Sequence, residues 1–180
     1  GAGSEVIEQD VATLDEEQPF PDGPYDLIVS LSSVDRVNDL PGALLHMRNA
    51  LAGNGMMIAS FLAAGSLANL ARAILAAEPD RPAARMHPLV DNQAASALLQ
   101  RAQFKRQVVD GRSLIVSFGS LDRLVSDLRD QGLGNALASA PAPLDKAAKK
   151  RAEAAFMAAA NDKGRVLETF EILTLTGWKD

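Results

Sequence analysis

A chain of 180 residues, 47% of them apolar, has enough material for one domain with a sizeable core, at about 150 residues per domain, and is too apolar to be a disordered segment. A formal charge of -5 argues against broad affinity for nucleic acid, and the absence of cysteine excludes disulfides, thiolate catalysis and zinc–cysteine sites. The two histidines, His46 and His87, form no metal motif, no apolar run approaches the roughly 18 residues needed to span a bilayer, and no secretory signal opens the chain, so a cytoplasmic globular protein without a metal is expected.

In chain order, Val6 to Asp10 reads as a short strand after Gly1-Ala2-Gly3-Ser4. The acids Asp15-Glu16-Glu17 read as a solvated loop rather than a metal or acid–base site. Tyr25 to Leu31, YDLIVSL between turn formers, predicts a strand buried on both faces, as in a parallel sheet. Asp39 can cap a helix with Leu40, Leu44, Met47 and Leu51 on one face, and Gly53-Asn54-Gly55 is expected to stop it. Met56 to Leu62 predicts a second buried strand. Ser66 is the expected cap of the next helix, apolar at Leu67, Leu70 and Ile74, and Pro79 and Pro82 mark a loop.

Asp91 opens a helix carrying Ala95, Leu98, Leu99 and Ala102. Gln107–Asp110 and Ser113–Phe118 predict two strands joined at Gly111, with Leu114, Val116 and Phe118 alternating. Ser120 caps a helix with Leu121, Leu124, Val125 and Leu128, closed by Gly132. Pro141 and Pro143 precede an alanine-rich helix from about Leu144 to Ala160, and Leu167 to Thr176 favours a closing strand. Strands alternating with helices in the first half predict an α/β fold with a mainly parallel sheet, while the last strands could add an antiparallel edge. No repeat or linker divides residues 1–180, and the helices at about 120–160 read as an insertion.

Open α/β sheets bind ligands beyond the carboxyl ends of their strands. That selects Asp10-Val11, the stretch Ser32 to Arg36, and Ala63 to Ser66, each of which also reads as a plain connection. Charged Asp35-Arg36 after a buried strand suits a polar substrate, or a surface pair contributing little. Ala64-Gly65-Ser66-Leu67-Ala68 has the setting of a hydrolase nucleophile elbow but lacks G-x-S-x-G, and Ser66 as a cap accounts for it. Gly1-Ala2-Gly3 follows no strand and opens no helix, so it does not read as a cofactor loop. His46 reads as a surface residue, whereas His87 beside Pro88 can face a cleft. Lys146, Lys149, Lys150 and Arg151 read as the wet side of a helix, with docking of an acidic partner as the alternative.

Pro19 through Gly55 resembles the class I S-adenosylmethionine-dependent methyltransferases, on Gln18-Pro19-Phe20, Tyr25 to Ser30, and the turn Leu51 to Gly55. The narrower likeness is to the methyltransferase-like assembly factors of respiratory complex I and, more distantly, to the methyltransferases that esterify malonyl carrier protein. It is carried by Val37-Asn38-Asp39-Leu40-Pro41, by Leu98 to Phe104, and by Thr176-Gly177-Trp178-Lys179. The resemblance implies a Rossmann-like seven-stranded sheet whose last strand is antiparallel, supplied here from its third strand onward. It implies S-adenosylmethionine as cofactor, with Asp10 and Val11 beside the adenine and Ser30, Leu31 and Ser32 lining the cofactor side. Asp35, Arg36, Ala64 and Ser66 would face substrate, a protein or carrier protein. The first two βα units, with their glycine-rich loop and ribose-binding acid, are expected to lie outside this chain, which alone is then not expected to hold the cofactor.

Two departures fall in ligand-facing loops. The subgroup's His-Trp is Asp35-Arg36 here, and its Gly-Gly-Asp-Thr is Ala63-Ala64-Gly65-Ser66. Two readings therefore stand: part of a methyltransferase, or a non-catalytic binding or assembly protein on the same scaffold. Hydroxylation of a partner's arginine, suggested by the assembly-factor likeness, finds no iron site in these residues.

Overall fold

The computed structural model describes residues 14–80, 82–133 and 141–180. The expected strand at Val6 to Asp10, and with it Asp10 and Val11, lies outside the described residues. Among the described residues four strands form one sheet: β1 (Tyr25–Leu31), β2 (Leu51–Leu62), β3 (Lys105–Phe118) and β4 (Val166–Trp178), in the order β1-β2-β4-β3. β1 runs parallel to β2, while β4 lies antiparallel between β2 and β3. The antiparallel strand is thus inserted in the sheet, not added at its edge. Five helices accompany it among the described residues: α1 (Leu40–Ala50), α2 (Ala68–Ala77), α3 (Asn92–Arg101), α4 (Leu121–Asp130) and α5 (Lys146–Met157).

The helix starts follow the capping logic of the sequence. Asp39, Asp91 and Ser120 each accept a first-turn N–H, from Gly42, Ala94 and Arg123 at 2.9, 2.7 and 3.1 Å. Asp145 does the same for α5, accepting from Ala148 at 2.7 Å. Gly132, at φ +71°, closes α4, and the Leu133 N–H returns to the Leu128 carbonyl. Ser66 departs from expectation. Its hydroxyl donates to the Glu171 carbonyl at 3.0 Å and accepts the Glu171 N–H at 2.8 Å, so it pins the loop to β4. The α2 cap is instead Glu168, a fully buried carboxylate on β4. It accepts the N–H of Asn69 and of Leu70, both at 3.0 Å.

Two further expectations are revised. Gly53-Asn54-Gly55 does not end α1 but belongs to β2, where Asn54 N–H and Gly55 C=O pair with Lys179. A side chain at Gly55 would stand 2.8 Å from the Tyr25 carbonyl, so the bulge opposite Tyr25 needs glycine. The end of α1 is met by Lys179, whose ammonium donates to the carbonyls of Asn49 and Leu51 at 2.9 and 2.5 Å. Lys179→Met is expected to cost about 1 kcal/mol in urea unfolding. Gly111, in turn, does not separate two strands: β3 runs unbroken through it, opposite Leu173.

One sheet face is sealed by α1 and α3, with Ile28, Met57, Ala59, Leu175, Leu44, Met47, Leu99 and Phe104 in a continuous core. Gly177 permits this, since a Cβ there would sit 2.8 Å from Phe104. The opposite face is covered only towards the ends of β2 and β3, where α2, α4 and α5 bury Leu70, Leu124, Leu128, Phe156 and Phe118 in a second core. β1 is therefore not buried on both faces. Leu27, Val29 and Leu31 are 50, 50 and 71% exposed, and the outer edge of β1 is unpaired among the described residues. No helix among the described residues is long and apolar enough to cross a membrane.

Candidate functional site

Three cavities converge on the carboxyl end of β2, and Leu62, the last residue of that strand, lines all of them. One, of about 560 Å³, lies between α4 and the partly open sheet face, with Ser32 and Ser60 in its lining. A second, of about 290 Å³, is walled by Leu70, Ile74, Leu121 and Val125. The third, of about 270 Å³, lies between the 3-10 turn Val34–Arg36 and the segment 87–90. This is the end of the sheet at which open α/β folds bind ligands.

The connections leaving both strands are strained there. Ser32 after β1 and Leu67 after β2 stand in the left-handed region, at φ 60° and 59°, at a cost of about 1 kcal/mol each. They are held by backbone hydrogen bonds, Ser32 N–H to Ser60 C=O at 2.8 Å and Leu67 N–H to Thr169 C=O at 2.9 Å.

The 3-10 turn buries Val34 and carries Asp35 to the cavities. Asp35 Oδ1 accepts the Leu62 N–H at 2.6 Å, tying the turn to the end of β2. Its Oδ2 is buried and has no hydrogen-bond partner among the described residues. Burial pushes the Asp35 carboxyl up from 3.8 to about 6, against the opposing pull of the Leu62 and own-backbone hydrogen bonds and the Arg36 charge. His87 lines the same two cavities as Asp35, and its Nε2 is likewise buried without a partner among the described residues. Arg85 also lines the cavity of about 290 Å³, but its guanidinium is engaged. Glu78 holds it at 2.7 and 2.8 Å, and the Ala142 carbonyl at 2.9 Å.

The other expected site residues are dispersed. Ser30 is buried and shares a 2.7 Å hydrogen bond with Ser33, and Leu31 points to the open face. Arg36 is exposed, so Asp35 and Arg36 do not enter the cavities as a pair. Ala64 is exposed, and the buried Ser66 hydroxyl is spent on Glu171. Glu17, expected in a solvated acidic loop, accepts the backbone N–H groups of Asn38 and Asp39 and so steadies the approach to α1. His46 is half-buried, and Arg151 of the basic run donates to the Ala77 carbonyl at the end of α2. No cluster of three metal-ligating side chains occurs among the described residues.

No protein-family model matches the chain. Among curated proteins it is 30% identical, over 96% of its length, to arginine-hydroxylase NDUFAF5, mitochondrial, of Rattus norvegicus. It is 28% identical, over 89% of its length, to malonyl-[acyl-carrier protein] O-methyltransferase of Halorhodospira halophila. It spans about half of each, 53% and 54%. Among solved structures it superposes on YcgJ of Bacillus subtilis with a TM-score of 0.53 at 13% identity, covering 91% of this chain and 68% of that one. A candidate methyltransferase of Bacillus halodurans gives 0.53 at 12% identity, covering 92% and 75%. The fold is thus the Rossmann-like methyltransferase sheet, and the resemblance to methyltransferase-like proteins, including those acting on malonyl carrier protein, is observed.

Proposed function

We propose that this chain is the acceptor-side part of an S-adenosylmethionine-dependent methyltransferase whose cofactor site is completed by the rest of a longer protein. The observation that carries this reading is the side of β1 that the described residues leave bare. In a methyltransferase sheet, an unpaired strand edge beside exposed Leu27, Val29 and Leu31 needs further chain to pair and cover it. A span of about half the length of the curated relatives is consistent with that need.

The residues present fit part of the cofactor. Leu31 and Ser32 offer an apolar surface and a polar backbone turn at the end of β1, next to the cavity of about 560 Å³. Among the described residues, no glycine-rich turn opening a helix stands at the free edge of β1 to anchor an amino acid and a ribose. Bound S-adenosylmethionine would supply a methyl group on a sulfonium. The task left to this chain would be to hold the acceptor in line, and the cavities lined by Asp35 and His87 at the end of β2 are the place proposed for it. The proposed acceptor is carried by a protein, and the proposed setting is a reducing compartment, the cytoplasm or the mitochondrial address in the relatives' names.

The second reading, a non-catalytic assembly scaffold, is favoured by the loop after β2, where Ser66 is locked and the alanines offer no polar group. The test is to incubate the full-length natural protein with methyl-tritiated S-adenosylmethionine, adding malonyl carrier protein or protein extract from its own cells. Transfer of label to a protein is expected. Cofactor binding without transfer to any acceptor would overturn the enzyme reading in favour of the scaffold.

A further inference from the structure

We infer that the cavity between Asp35 and His87 binds a primary ammonium group on an aliphatic stem, as a lysine side chain presents it. The inference deepens the acceptor-side reading and rests on it only in naming the bound group an acceptor; the binding itself requires no cofactor.

The first ground is the pair of open buried lone pairs. Asp35 Oδ2 and His87 Nε2 line the same cavity of about 270 Å³, and both lack a hydrogen-bond partner among the described residues. Buried polar atoms left open cost free energy unless something bonds to them. The carboxylate can only accept once ionised, and the imidazole accepts at Nε2 in its Nδ1–H tautomer. With His87 in that tautomer, a ligand that donates hydrogen bonds suits both atoms.

The second ground is charge. Asp35 and His87 are the ionisable residues lining this cavity among those described. Apart from Asn38, the rest of its wall is apolar, with Val34, Val37, Leu40, Phe61 and Leu89. Arg85 and Arg129 line the neighbouring cavity, which Asp35 and His87 also line; there Arg85 is matched by Glu78, and Arg129 is exposed. Among the described residues no cation lines the cavity of about 270 Å³, and the neighbouring Arg36 is exposed, so a cationic ligand suits the Asp35 carboxylate. A ligand carboxylate would repel Asp35. An ammonium, with a compact charge and three N–H groups, suits two open acceptors better than a planar guanidinium with five. The apolar walls suit the methylene stem.

The test is a nuclear magnetic resonance titration of the 180-residue chain with n-butylammonium chloride, 1-butanol and sodium butyrate, repeated on Asp35→Asn and His87→Gln. The amide oxygen introduced by Asp35→Asn can still accept the Leu62 N–H, so this variant keeps the tie between the turn and β2. Saturable shifts of the Leu62 and Val90 amides are expected with butylammonium, and binding about tenfold weaker or worse in Asp35→Asn. Butyrate should produce none, butanol should bind more weakly than butylammonium, and His87→Gln should weaken butylammonium less than Asp35→Asn does. Butyrate or butanol binding as tight as butylammonium, unchanged binding in Asp35→Asn, or no saturable shift with butylammonium would each overturn the inference. Ammonium binding in a protein that transfers no methyl group would keep this site and overturn the proposed function instead.

Discussion

Glu168→Ala is expected to destabilise the protein by about 3 kcal/mol, the largest effect anticipated for a single side chain outside the apolar core. Glu168 is fully buried on β4, yet none of its observed partners is a cation. Its carboxylate accepts the N–H groups of Asn69 and Leu70, with the Asn69 side-chain amide at 3.4 Å. The start of α2 has no cap of its own, because Leu67 occupies the N-cap and Ser66 is turned to Glu171. Removal of the carboxylate would leave first-turn donors buried and unmatched, and would also remove a negative charge from the positive end of the helix dipole. Glu168→Gln keeps one accepting oxygen and should cost about half as much. Urea unfolding measures both. Equal, small losses would show that α2 is held by its packing on α5 and needs no cap from β4.

Asp35→Asn should move stability the other way above neutral pH. With its folded value raised to about 6, Asp35 binds a proton more readily in the folded than in the unfolded chain. The stability it contributes is complete below the unfolded value near 3.8 and is lost as pH rises through about 6. At about 1.4 kcal/mol per unit the gap amounts to roughly 3 kcal/mol, and partial access to water lowers the expected figure to about 2 kcal/mol. Unfolding free energies between pH 4 and 8 should therefore fall for the wild type relative to Asp35→Asn, leaving the variant more stable at pH 8. Parallel curves for the two proteins would show that the carboxylate is solvated as an ordinary surface acid.

Much of the fold is legible because it is written locally. A cap of Asp or Ser followed by residues at helical spacing locates α1, α3 and α4, and the β-branched and apolar run Tyr25–Leu31 matches β1 residue for residue. What escapes a local reading depends on partners distant in sequence. Gly53-Asn54-Gly55 reads as a stop until Lys179 pairs with it, and Ser66 reads as a cap until β4 claims its hydroxyl. The composition of β1 implies burial on both faces, but the described chain covers only the face bearing Ile28 and Ser30.

The strings that carry the family resemblance prove to be largely structural. Asp39 caps α1, Gly177 makes room for Phe104, and Lys179 closes the end of α1. Such residues report a fold faithfully and a reaction poorly. The candidate site is half legible. Asp35 stands out for following a strand end and His87 for a position that can face a cleft, but nothing local joins them. Their meeting depends on the Leu62 amide and on cavities partly walled by α2 and α4. Arg36, adjacent to Asp35 in sequence, is turned outward by the 3-10 turn.

The central claim, that the cofactor site is completed by the rest of a longer protein, is tested most directly by calorimetric titration of S-adenosylhomocysteine into the 180-residue chain and into the full-length natural protein. Micromolar binding by the full-length protein, with none by the chain alone, is the predicted result. Binding of equal strength by the chain alone, or no binding by either protein, would contradict it.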